Sequence, residues 1–196
     1  MPRKHDVLLE KRLVKAAQTL CAREGQEAVT MRHVALLAKT STPTLYQRFA
    51  SREAILRALR EVVRKDLARE MRRATSPEDA CLRYLNFAVK RPHEYELLMS
   101  GGWKDSEARG YRGLVLEAAQ KMLAQKLGGN PEAFAGLILE LWCLVHGGAS
   151  LLIAGQKEGS RTEDVREACL SAYRALLRSG TRQIATGENV PGQPLP

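Results

Sequence analysis

TMRHVALLAKTSTPTLYQRFASRE, residues 30–53, decides how this chain is read. Met31, Val34, Ala35 and Ala38 recur at i, i+3, i+4 and i+7, the spacing that sets apolar side chains on one helical face. Thr30 stands where an N-cap is wanted. A polar interruption follows, Lys39-Thr40-Ser41, and then Thr42-Pro43 opens a second helix, because proline fits a first turn without losing an intrahelical bond. This helix has room for about two turns before Ala50-Ser51. Leu45 and Phe49, at i and i+4, anchor it to a core and leave Thr42, Thr44, Tyr46, Gln47 and Arg48 to face outward. A supporting helix, a tight turn and a short polar second helix make a helix-turn-helix, which presents that second helix to the major groove of DNA.

On the N-terminal side, residues 1–5 read as a mobile basic arm and Asp6 caps a helix to Glu24. Its face is Leu9, Leu13, Ala16, Ala17 and Leu20, and Gly25 is placed to end it. On the C-terminal side Ser51 caps a fourth helix with Glu53 in its first turn. Leu56, Leu59, Val63, Leu67 and Met71 carry its stripe toward Ala74. The net charge of +9 is confined to this part: residues 1–74 hold 17 Lys and Arg against 8 Asp and Glu, and the remainder balances. Such a segment suits a polyanion, whose condensed counterions are released on binding; a solvated basic face is the alternative reading of charge alone.

Thr75-Ser76-Pro77 marks the end of the charge excess, which divides the chain into a DNA-binding domain at 1–50, a connecting helix at 51–74 and a second domain at 75–178, to which the family resemblance given below assigns ligand binding and dimerisation. Residues 179–196, rich in Gly, Pro, Thr and Gln, read as a disordered tail. The fold expected is all-α: aromatic content is 5%, Ala, Leu, Arg and Glu abound, and no stretch alternates with period two. The apolar run from Phe134 to Ala154 has the length of a membrane span, but Glu140, His146 and Gly147-Gly148 interrupt it, and it reads as a helix buried on several sides. Its surplus apolar surface suggests a homodimer built from Leu137, Leu144, Gly148 and Leu151 with Leu170, Tyr173 and Leu177 of the last helix. Core packing within one chain is the competing account.

Enzyme chemistry finds no support in the sequence. Cys21, Cys81, Cys143 and Cys169 lie far apart with no C-x-x-C pair, and the four His form no ligand spacing or nucleophile–base set, so neither metal, cofactor nor catalytic residue is expected. MPRKHD is followed by no apolar signal-type stretch, which points to a cytoplasmic protein with reduced thiols.

The segments LVKAAQTLCAREG, VTMRHVA, STPTLYQRF and ASREAIL, in this order, resemble the DNA-binding domain of TetR-type transcriptional regulators over about the first 60 residues. LWCLVHGGASLL, with Trp142, His146 and Gly147, resembles a Trp-His-Gly signature in one group of their C-terminal domains, and RPHEYELLM also has a counterpart there. The resemblance implies that Thr30 and Arg32 approach phosphates, that Ser41, Thr42, Thr44, Tyr46, Gln47 and Arg48 approach DNA, and that Arg52 keeps a charge for a phosphate. Pro43 is placed to touch a thymine methyl. It further implies a palindromic double-stranded operator, a homodimer, and release by a small effector that changes the spacing of the two heads. For that effector Tyr84, Phe87, Tyr95, Met99, Trp103, Met122, Trp142 and His146 are candidate lining residues, which favours an apolar or aromatic ligand; plain core packing is the alternative for each. A constitutive DNA-binding or protein-interaction module without effector is the alternative for the whole. The chain departs from the family pattern at Cys21, Gln26, Thr40, Arg52 and the Thr42-Pro43 order. It departs also at Lys39, where glycine usually makes the turn and positive φ would cost a side chain about 1 kcal/mol.

Overall fold

A computed structural model of the chain describes residues 4–100, 106–158 and 162–186. Among them are nine α-helices and no strand: α1 (Lys4–Glu24), α2 (Met31–Leu37), α3 (Thr42–Tyr46), α4 (Arg52–Arg72), α5 (Pro77–Lys90), α6 (Pro92–Ser100), α7 (Ser106–Leu127), α8 (Ala135–Glu158) and α9 (Thr162–Thr186). Short 3-10 turns occupy Gln26–Ala28 and Pro131–Phe134. The helices form two compact units.

The first unit contains α1, α2, α3, α4 as far as Leu67, and α6. Its core is the set of stripes read from periodicity: Leu13 and Ala17 of α1, Val34 and Ala35 of α2, Leu45 of α3, and Ile55, Leu56, Leu59 and Val63 of α4 are all buried. Each large aliphatic among them contributes about 1.5–3 kcal/mol by leaving water. α1 starts at Lys4, ahead of the Asp6 cap expected, and ends at Gly25, whose φ of 83° lets its N–H reach the Cys21 carbonyl at 2.9 Å.

The break at 75–77 assigns α6 to the second region, whereas its contacts group it with the head. The reason is polar as well as apolar. Leu97 and Tyr95 are buried, and the Glu94 carboxylate, only 3% exposed, accepts from Gln18 of α1 at 2.9 Å and from Arg91 at 2.6 Å. Arg91 also donates to Asp66 of α4 at 2.9 Å. Arg60, itself buried, bonds the Leu97 carbonyl at 3.3 Å and Glu53 at 2.6 Å. A buried carboxylate needs such donors to offset its lost hydration.

The second unit takes α5, α7, α8, α9 and the end of α4. α8 is its centre and packs on α5 and α9. The segment Pro131–Gln156 has a mean hydropathy of 1.8, enough by length and composition to cross a membrane. Much of it faces protein: Leu137, Ile138, Leu141, Val145, Ala149, Leu152 and Ile153 are buried. Gly148 lets α8 approach its neighbours, since a Cβ there would stand 2.8 Å from the Cys169 sulfur.

Two expectations are corrected here. The tail read as disordered from residue 179 is helical as far as Thr186; the rest of it lies outside the described residues. Gly180 permits this continuation, because its Cα passes so near Leu137 that a Cβ would be 2.6 Å from a leucine methyl. The Thr181 hydroxyl donates to the Leu177 carbonyl at 2.7 Å. The surface expected for a dimer changes as well. Leu137, Gly148, Tyr173 and Leu177 are buried inside the chain's own core, which leaves Leu151 exposed and Leu144 and Leu170 half-buried on the surface of α8 and α9. A stripe read from spacing alone does not say which of a helix's apolar sides faces its own chain.

Candidate nucleic-acid interface

The surface around α2 and α3 is built by caps. The Thr30 hydroxyl accepts the His33 N–H at 3.1 Å and starts α2. At its other end Lys39 N–H donates to the Leu36 carbonyl at 3.1 Å and Thr40 N–H to the Ala35 carbonyl at 3.0 Å. This pair of bonds is a Schellman turn, which requires its C′ residue to be left-handed. Lys39 occupies that position with φ 52°, as its place in the sequence led us to expect. An exposed cation therefore stands at the bend where glycine would carry no charge.

α3 begins at Ser41, whose hydroxyl accepts the Thr44 N–H at 3.3 Å and shares a 2.7 Å hydrogen bond with the Thr44 hydroxyl. Pro43 sits in the first turn. Leu45 is fully buried and Phe49 nearly so, which fixes the helix against the core by one side only. Gln47 and Arg48 follow in the turn after five helical residues, so the helix is shorter than the two turns expected.

On the outer side Arg32, Ser41, Pro43, Tyr46, Gln47 and Arg48 are exposed, and Thr30, Thr42 and Thr44 are half-buried. Tyr46 shows 52% of its surface although it is an aromatic residue. Hydroxyl, amide, phenol and guanidinium groups gathered on a short helix and its turn can hold phosphate oxygens and read base edges. An N-cap hydroxyl such as that of Thr30 accepts through a lone pair and keeps a proton to donate.

Arg52 makes contacts that its expected role does not include. Its Nε donates to the Val29 carbonyl at 2.9 Å, and its terminal nitrogen to the Gln26 carbonyl at 2.7 Å and the Glu27 carboxylate at 3.2 Å. The guanidinium clamps the start of α4 to the 3-10 turn before α2, a positioning role beside the phosphate contact expected of it. A planar fork matched to two carbonyls leaves no signal in a single sequence. Lys39 was considered for strain and not as a DNA-facing charge; its exposure at the turn is what adds it to this surface.

The residues suggested for a small ligand are shared between the two units. Tyr95 and Met99 belong to the first unit, while Tyr84, Phe87, Met122, Trp142 and His146 belong to the second. Trp103 lies outside the described residues. Tyr84 and Phe87 are buried. Trp142 and His146 stack with ring centroids 5.4 Å apart and planes 4° from parallel. Burial holds the His146 imidazole below its ordinary pKa, which favours a neutral ring on this wall. Among the described residues no cluster of three or more His, Cys, Asp or Glu could hold a metal ion.

Comparison with known proteins places this geometry. Residues 13–59 match the family model described as bacterial regulatory proteins, tetR family, and residues 77–177 match the tetracyclin repressor-like C-terminal domain. No curated protein matches the chain. Among solved structures, a tetR-family transcriptional regulator from Streptomyces coelicolor superposes with TM-score 0.71 at 17% identity, covering 95% of this chain and 92% of that one. A TetR variant from Acinetobacter baumannii AYE in complex with minocycline gives 0.64 at 19% identity, covering 88% and 96%. A protein from Saccharomonospora viridis, described as a transcriptional regulator and solved in complex with choline, gives 0.57 at 16% identity, covering 83% and 94%. At these identities the likeness concerns the fold.

Proposed function

The chain belongs to the TetR family of bacterial regulatory proteins, which are DNA-binding transcriptional regulators, and we propose that it is a repressor released from its operator by a small, mostly apolar ligand. In this reading residues 1–50 bind DNA, 51–74 connect, and 75–178 take the ligand and dimerise. The observation that carries the DNA surface is the capped turn between α2 and α3, with Tyr46, Gln47 and Arg48 outward and Leu45 inward. Thr30, Arg32, Ser41, Thr42, Pro43 and Thr44 complete it.

Two features support an effector. The stacked Trp142 and His146, with the imidazole held neutral by burial, offer an apolar and aromatic wall. The relatives solved with minocycline and with choline hold small organic molecules, which favours an effector over a constitutive binder. Release requires a ligand that binds one conformational state better than the other. A homodimer is supported by Leu139 and Leu151, exposed on α8, beside the half-buried Leu144 and by Leu170 on α9. A cytoplasmic location accompanies this function.

Selection of bound fragments from random double-stranded DNA tests the reading. Enrichment of a palindrome is expected, with its half-site spacing reporting the dimer. Absence of any enriched palindrome overturns it. A thermal-shift screen with apolar compounds, repeated on operator complexes, separates a ligand-released repressor from a module that needs no effector.

A further inference from the structure

One flank of α9 carries charge in an order that complements itself when reversed. Glu163 and Glu167 lead, Leu170 and Ser171 follow, and Arg174 and Arg178 close the series. Glu163 and Arg178 lie equally far from the midpoint between Leu170 and Ser171, and so do Glu167 and Arg174. Spacings of four, three, four and four keep Glu163, Glu167, Leu170, Arg174 and Arg178 on one seam of the helix. The four charged residues are exposed, and Leu170 is half-buried between them.

This seam differs from an ordinary solvated face. Within α9 its like charges stand four apart, Glu163 with Glu167 and Arg174 with Arg178, the spacing at which opposite charges stabilise a helix and like charges weaken it. The helix dipole accounts for Glu163 in the first turn, but Glu167, Arg174 and Arg178 lie more than a turn from either end, beyond its reach. Glu163 stands 4.0 Å from Arg166, while Glu167, Arg174 and Arg178 make no ion pair among the described residues. The seam also faces away from α8. Cys169 and Gly180 mark the side that meets α8, at Gly148 and Leu137. Arg166, which bonds Asn86 of α5 at 2.8 Å, stands on the next flank, and the seam lies beyond it, about 130° round from α8 at about 100° per residue. Leu139 and Leu151, exposed on α8, are left to a separate contact.

We propose that this flank of α9 binds the same flank of a second copy, antiparallel, with the two-fold axis passing between Leu170 and Ser171. Glu163 then meets the partner's Arg178, Glu167 meets the partner's Arg174, and Leu170 meets the partner's Leu170 at the axis. A parallel arrangement would set like charges against each other, which selects the antiparallel one. The contact is isologous, so it closes on itself. It rests on the homodimer reading for its outcome and not for its existence: added to a dimer built on α8, it joins two dimers into a tetramer whose four heads suit two operators. Exposed ion pairs are weak one by one, so the contact forms at low salt and is lost as salt screens them.

The test is analytical ultracentrifugation of the full chain without DNA, over a range of concentrations, in about 50 mM and about 500 mM NaCl. Dimers joining into tetramers are expected in the lower salt, with the apparent Kd of that step about tenfold weaker in the higher. Glu167→Arg should weaken the step about tenfold, and adding Arg174→Glu should restore it, since each reversed charge again meets its opposite. Circular dichroism checks that each variant is folded. A tetramer step indifferent to Glu167→Arg, or one that the second change fails to restore, would overturn the proposal. So would a dimer and nothing larger in the lower salt, itself indifferent to these changes. A single monomer-to-dimer step that follows the same pattern of variants would support the α9 contact and remove instead the homodimer through α8. The salt dependence of the wild-type chain decides even where a variant fails to fold.

Discussion

The Gln18 amide of α1 donates to the Glu94 carboxylate of α6 at 2.9 Å, a bond between residues 76 positions apart that ties the first helix of the head to a helix beyond the change in charge. Arg91 completes the site by bonding both Glu94 and Asp66. Replacing Glu94 by alanine removes the acceptor of Gln18 and leaves Arg91 with Asp66 alone, and should cost about 2–3 kcal/mol. Glu94→Gln, which keeps an acceptor, should cost less. Urea unfolding followed by circular dichroism reads both, and equal midpoints for wild type and Glu94→Ala would refute the role.

Arg52 separates a structural from an electrostatic contribution to DNA binding. Its Nε and one terminal nitrogen hold the Val29 and Gln26 carbonyls, so Arg52→Ala should destabilise the head by about 1–2 kcal/mol. Operator affinity should fall with the population of folded head, while the slope of log K against log salt stays unchanged. A phosphate ligand would instead reduce that slope by about 1. Arg52→Lys should not rescue stability, because an ammonium cannot span two carbonyls in a plane.

How much of this was legible in sequence depends on the distance over which a residue finds its partners. Val34, Ala35 and Leu45 announce α2 and α3 because their pattern repeats every turn, and they are buried as their spacing requires. The positive φ of Lys39 was legible only through the family resemblance, in which glycine usually stands at that turn. The Arg52 clamp and the Gln18–Glu94–Arg91–Asp66 network were not legible, because, apart from the local Arg91–Glu94 pair, their partners lie 23 to 76 positions away and no local period encodes them. α8 shows the same limit. Its apolar sides were plain, but Leu137 and Gly148 turn inward while Leu151 turns outward, a choice set by where α5 and α9 happen to pack.

Lys39 gives the strain a measurable sign. At φ 52° a side chain costs about 1 kcal/mol relative to glycine, less the greater freedom of glycine in the unfolded chain. Lys39→Gly should therefore stabilise the head by roughly 0.5–1 kcal/mol, and Lys39→Ala should not. Both remove an exposed charge, so both should weaken operator binding and lower its salt slope alike. Stabilisation by alanine as large as by glycine would show that backbone strain is not the cause.

His146 makes the second unit sensitive to pH. Burial lowers its pKa below the ordinary 6.5, so the unfolded chain binds a proton that the folded chain resists. Its contribution to stability is present above that ordinary value and is lost as pH falls through the folded pKa. The thermal stability of wild type should fall more steeply as pH drops below 6.5 than that of His146→Phe, which keeps a flat ring against Trp142 without a titrating group. Parallel curves would remove His146 from the account.

The extension of α9 to Thr186 rests on one close approach. A methyl placed on Gly180 would meet two Leu137 methyls, at 2.6 and 2.9 Å, and the Leu137 side chain is itself buried and has little room to yield. Overpacking of this kind costs about 1–3 kcal/mol. Gly180→Ala should therefore lower the unfolding midpoint although alanine is the better helix former, and Leu137→Ala in the same chain should recover part of that loss by opening the space. Double-mutant analysis of the two sites reads the coupling directly. If Gly180→Ala is stabilising, helix propensity outweighs contact there, and the last turns of α9 do not pack on α8 at Leu137.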